Sequence, residues 1–184
     1  MRTKQAAALA AGVMAASLAG CVTDGVVVNR SPVAPGYTGD LYVQSSAQNG
    51  VNSVVVRNSP VPPEAVLDAL RQRYQSNQYR FALGPNPPGW NGYTVVLSFG
   101  GPAIGNETLC QNLNAPRVAV SEGTAVVGDY CYGNRTVTEA TGQSREITGP
   151  QDPILRALVG DVVAELFTNE QEPPHGGGAS PTTH

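Results

Sequence analysis

Glu122, Asp129, Glu139 and Glu146 are the residues whose type and placement come nearest to a reaction centre. All four lie on or beside short β-branched runs, so pairs of them could meet across a sheet. Two carboxylates held in a cleft at a controlled separation, one kept protonated by burial, are what cleavage of a glycosidic bond requires. Competing chemistries lack their parts. Both histidines, His175 and His184, lie in a polar C-terminal stretch, and the only lysine is Lys4. The central part of the chain therefore has no imidazole or amine for the acid–base and nucleophilic arrangements that work near neutral pH. Carboxylates on strands are more often solvated surface groups than catalytic pairs. The expectation is no catalytic residue and no enzymatic activity.

Other motifs narrow the chemistry further. In "FGGPAIGNET", Gly100 and Gly105 have the outer-glycine spacing of a phosphate-binding loop, but Asn106 and Glu107 stand where lysine and a hydroxyl residue would contact phosphate and metal. No nucleotide cofactor is expected. Cys110 and Cys131 have no histidine near them and no Cys-x-x-Cys spacing, which argues against a tetrahedral zinc set and against a redox role. A net charge of −3 with no clustered basic face excludes nucleic acid as a partner. The binding candidate is "GPNPPGWNGY". Pro85, Pro87 and Pro88 stiffen this loop, and Trp90 and Tyr93 offer rigid aromatic area of the kind that dominates interfaces. Pro87, Pro88, Trp90 and Tyr93 are thus the candidate partner-binding residues. The competing account has Trp90 capping the open end of a sheet.

The elements that must position these groups are legible from periodicity. "LYVQS" and "NSVVVRN", separated by "AQNG", read as an antiparallel hairpin. In "SPVPPEAVLDALRQRYQSN", Pro62 and Pro63 suit a first helical turn. Glu64 and Asp68 complement the dipole at one end, and Arg71 and Arg73 at the other. Val66, Leu67, Leu70 and Tyr74 form its apolar stripe. "YRFALG", "GYTVVLSFGG", "RVAVS", "GTAVVGDYCYG" and "RTVTEATG" read as strands, with "PNPPGWN" as a loop and Gly133-Asn134 and Thr141-Gly142 as turns. A second helix is predicted at "QDPILRALVGDVVAELF". Asp152 is its N-cap, Pro153 its first residue, and Leu155, Leu158, Val159, Val162 and Leu166 its buried stripe. The order strands, helix, strands, helix predicts an α+β fold: an antiparallel or mixed sheet with two helices packed on one face.

The chain opens with Arg2 and Lys4 followed by the uncharged run "AAALAAGVMAASLAG", the layout of a secretory leader and too short for a permanent span. It ends in Leu18-Ala19-Gly20-Cys21, which resembles the lipobox of bacterial lipoprotein precursors. That resemblance implies acylation of the Cys21 thiol, cleavage before it, and anchoring of the mature chain by several fatty chains, each contributing about 0.8 kcal/mol per buried methylene. Val22, where an inner-membrane retention signal usually places Asp, points to the outer membrane, with the domain facing the periplasm. In that oxidising compartment Cys110 and Cys131 are expected to form a disulfide.

The expected organisation is a leader over 1–20, a lipidated flexible tether over 21–40, one periplasmic domain over 41–168 and a disordered tail over 169–184. A tether of that length reaches roughly 25 Å. The helix, the stretch Asn77 to Phe81, the strand "YTVVLSF", the hairpin around Cys131 and the closing Glu165-Leu166-Phe167 are similar in layout to small envelope lipoproteins, among them auxiliary lipoproteins of envelope transporters. That likeness brings no catalytic residue. The functional expectation is a lipid-anchored, non-enzymatic binding or assembly module whose partners are the membrane and an envelope protein. Its alternatives are a transport auxiliary and a carboxylate-dependent peptidoglycan hydrolase.

Overall fold

In the computed structural model, residues 25–30, 48–75, 79–101, 108–114 and 122–167 are described. Eight elements follow in chain order: β1 (Val27–Arg30), β2 (Val51–Arg57), α1 (Pro63–Arg73), β3 (Phe81–Leu83), β4 (Trp90–Phe99), β5 (Thr124–Tyr132), β6 (Arg135–Ser144) and α2 (Pro153–Phe167). The strands form one six-stranded sheet in the order β1-β6-β5-β4-β2-β3. It is mixed: β2 runs parallel to both β3 and β4, while β4, β5, β6 and β1 pair antiparallel in turn. With α1 and α2 packed on one another and on the sheet, this is the α+β arrangement that the element order implies.

Both helices form for the reasons their sequences give. Pro63 begins α1, Glu64 occupies its first turn and Arg71 and Arg73 its last. Its stripe Val66, Leu67, Leu70 and Tyr74 is buried. Asp152 caps α2, its Oδ1 accepting the Ile154 N–H at 3.0 Å. The same carboxylate accepts both Arg145 Nη groups at 2.9 Å and the Thr148 N–H at 3.1 Å. With the Thr148 hydroxyl at 3.0 Å, five bonds hold it well below the usual carboxylate range, the Arg145 guanidinium being the largest cause.

α2 sits close on the sheet because the strands beneath it are stripped of bulk. A Cβ on Gly142 would stand 2.6 Å from Val162 Cγ2 and 2.8 Å from Leu158 Cδ1, and one on Gly128 would stand 2.7 Å from Val162 Cγ1. These contacts are shorter than real Cβ atoms make, so the two glycines form the trough into which the helix fits. Thr141-Gly142 is accordingly no turn. It lies within β6, where the missing side chain serves packing rather than chain reversal.

Three further expectations are corrected. Val51–Arg57 is not half of a hairpin: α1 carries the chain from β2 to β3, and that crossover makes the two parallel. The segment read as a tether contributes β1, which pairs along the β6 edge, and Val26 just before it is buried. Three consecutive valines supply the β-branched run for this short edge strand despite the Pro- and Gly-rich surroundings. Trp90 and Asn91, read as loop, begin β4. The "LYVQS" and "RVAVS" strands, Cys21, the leader and the tail over 169–184 lie outside the described residues.

Candidate functional site: the helix-free face of the sheet

Strand alternation sends Val54, Val95, Leu97, Val126 and Tyr130 towards the helices. It leaves Val55, Val96, Val127 and Cys131 on the opposite face, where a second apolar cluster forms with Leu109. Residues 108–114 lie over this face without regular structure. They are held by a disulfide between Cys110 and Cys131, the pair expected from the sequence. Beside this clamp is an open, mainly apolar groove of about 220 Å³, walled by Val55, Val96, Leu113 and the two cysteines, with Trp90 at its rim.

Trp90 is 37% exposed, and its indole N–H donates to the Tyr93 carbonyl at 2.7 Å, so the ring is both presented and fixed. The rest of the predicted binding set divides. Pro88 is exposed, whereas Pro87 is buried and Tyr93 is 4% exposed, stacked on Tyr130 at 5.0 Å. Trp90 and Tyr93 are an odd number of residues apart on one strand, which sends their side chains to opposite faces. The aromatic that sequence reasoning missed is Tyr132. It is 51% exposed at the same end of the sheet, packed on Tyr93 at 5.1 Å. It stands in register with Tyr93 and so lies on that side of the sheet, a placement no sequence signal carried.

The carboxylates also divide. Glu122 and Glu146 are exposed. Asp129 and Glu139 meet in register across β5 and β6. Asp129 is fully buried: its Oδ2 accepts the Leu109 N–H at 2.9 Å and the Thr136 hydroxyl at 3.3 Å, and Oδ1 has no partner. Burial first, and then the Glu139 charge, push its carboxyl up to about 6, while the Leu109 and Cys110 amides and the Thr136 hydroxyl pull the other way. The residues lining the groove include neither acid, so this pair does not flank that groove.

Cys110, Asp129 and Cys131 bring three ligand-type atoms within 4.8 Å of one another. With the sulfurs joined, neither thiolate is free to ligate, so this is not a metal site as it stands. A second groove, of about 340 Å³, runs between the helices past Glu64, Asp68, Gln72, Asp152 and Arg156. Its polar groups answer one another, Arg156 donating to Gln72 at 3.2 Å and Arg145 clasping Asp152.

Fold and site together define a mixed-sheet α+β domain with one face closed by helices and the other partly closed by a disulfide-clamped segment. No protein-family model matches the chain, and no curated protein is similar to it in sequence. Among solved structures, the chain is similar to the PelC dodecamer from Paraburkholderia phytofirmans, at 13% identity and a TM-score of 0.42, over 78% of this chain and 98% of that one. A single-substitution variant of the same dodecamer gives 12% identity and a TM-score of 0.40, over 79% and 99%. At that distance neither bears on what this chain does.

Proposed function

We propose that the chain is a lipid-anchored lipoprotein of the bacterial envelope. Its domain faces the periplasm from the outer membrane and acts as a non-enzymatic binding or assembly module that docks an envelope protein, with no cofactor and no part for nucleic acid. The observation that carries the docking reading is the fixed, partly exposed Trp90 at the rim of an open apolar groove. Rigid aromatics beside a concave apolar surface are the usual anchors of an interface. Anchoring is supported by the basic and apolar leader ending in Leu18-Ala19-Gly20-Cys21. No helix among the described residues is long and apolar enough to cross a membrane.

The test places a photo-crosslinking side chain at Trp90, at Leu113 of the groove wall and, as control, at Arg156 on the helix side. Expected is one discrete adduct with an envelope protein from the first two positions and none from the third. Equal labelling from all three overturns the docking surface, and Cys21→Ser protein that still fractionates with membranes overturns the anchor. A partner that belongs to a transport complex would make the chain a transport auxiliary. The register of Asp129 and Glu139 is the one observation favouring a peptidoglycan hydrolase. Release of soluble fragments from purified sacculi by the domain would establish that activity in place of docking.

A further inference from the structure

Asp129 is an expensive residue where it stands. It is fully buried, its Oδ1 has no hydrogen-bond donor, and Cys110 Sγ stands 3.7 Å from its Oδ2. In the disulfide that sulfur carries no hydrogen, so it brings the carboxylate nothing. A bridge that only stapled residues 108–114 to the sheet would gain from an apolar neighbour at this position, because a buried polar atom without a partner opposes folding. Cleavage of the S–S bond changes the balance, since Cys110 then bears an S–H 3.7 Å from Oδ2 and Cys131 an S–H whose sulfur lies within 4.8 Å of the carboxyl group. The surroundings therefore favour the dithiol more than an apolar pocket would, and a bridge whose reduced form is favoured is the more readily reduced one. Access is also provided. Cys110 is half-buried and both cysteines line the groove, whereas Cys131 is 2% exposed.

We propose that the Cys110–Cys131 bridge is a thiol–disulfide exchange site opening on the groove, with the Asp129 carboxyl as its proton donor and acceptor and a dithiol as its co-reactant. The thiolate of the dithiol attacks Cys110 Sγ from the groove. A mixed disulfide forms as the Cys110–Cys131 bond breaks, and the electron pair passes to Cys131 Sγ, which takes the proton of Asp129. The second thiol of the co-reactant loses its proton to Asp129 and closes on its own sulfur, expelling Cys110 as a thiolate that is then protonated. The co-reactant leaves as a disulfide, two electrons and two protons remain on the cysteines, and the same steps reversed oxidise a dithiol. The groups facing Asp129 among the described residues are Glu139 and Thr136 of β6, the Leu109 and Cys110 amides of the overlying segment and the uncharged Val96 of β4. This site stands independently of the anchor and of the docking partner.

The experiment equilibrates the full chain in dithiothreitol buffers without denaturant and counts thiols by alkylation and intact mass. Expected is reduction within the folded state, with an equilibrium constant roughly tenfold less favourable in Asp129→Asn. In Glu139→Gln, removal of the neighbouring charge moves the pH dependence of reduction to lower pH while the fold is kept. A bridge that resists dithiothreitol until urea unfolds the chain overturns the proposal. So does a Glu139→Gln profile superimposable on that of the unaltered chain, a readout that remains if Asp129→Asn fails to fold.

Discussion

Replacing Asp129 by Asn gives the sharpest prediction on stability. Burial and the Glu139 charge raise the carboxyl from 3.8 to about 6 in the folded chain. The folded state therefore holds its proton more tightly than the unfolded state does. Stability from this group is fully present below the unfolded value and is lost as pH rises through the folded one. The raised position of the carboxyl corresponds to about 3 kcal/mol, most of it lost between pH 4 and pH 7. Asn stays uncharged over that range and imitates the protonated acid in shape. Urea unfolding followed by Trp90 fluorescence at intervals of pH gives both stabilities. The expected outcome is that the unaltered chain loses roughly 2–3 kcal/mol relative to Asp129→Asn between those limits, other carboxylates cancelling in the difference. Parallel pH profiles, or a difference of opposite sign, would refute the reasoning that this acid is buried beside Glu139.

Gly142→Ala forces a methyl into Val162 and Leu158 and should destabilise the domain by about 1–3 kcal/mol, read as a lowered melting temperature with the sheet signal retained. Replacing Cys110 and Cys131 together by Ala opens a covalent loop whose ends are 21 residues apart and should cost about 3 kcal/mol in urea unfolding. Asp152→Asn should behave oppositely to Asp129→Asn. Asp152 is held below its ordinary range, so the stability it contributes is present at neutral pH and lost in strong acid. The gap between this variant and the unaltered chain should close as pH falls, measured by the same urea series.

The helices were legible because their signals are local: Pro63 and the pair Asp152-Pro153 mark starts, and apolar stripes mark buried faces. The disulfide was legible because few cysteines offer alternatives, whereas which of the four carboxylates meet, Asp129 with Glu139, followed only from the strand register. Pairing direction was not legible. The alternation of Val51–Arg57 specifies a face and says nothing of which strand lies alongside or which way it runs. Gly142 misled because glycine punctuates turns and also yields room to a helix, and only the position of Val162 separates the two. β1 was hidden because four residues are too few for a periodic signal in proline- and glycine-rich surroundings. The site was half legible. Trp90 was found, but Tyr93 was paired with it from spacing in a supposed loop, whereas on β4 that spacing divides them. The groove itself depends on residues 108–114, which carry no regular structure and whose place follows from the disulfide and from Leu109.

The proposal that the domain works from a membrane anchor is tested most directly by the intact mass of the protein extracted in detergent from bacterial envelopes. The expected species is a mature chain that begins at Cys21 and carries a diacylglycerol thioether and an acylated amino terminus. A chain that begins elsewhere, or that retains a free thiol at Cys21, would contradict it.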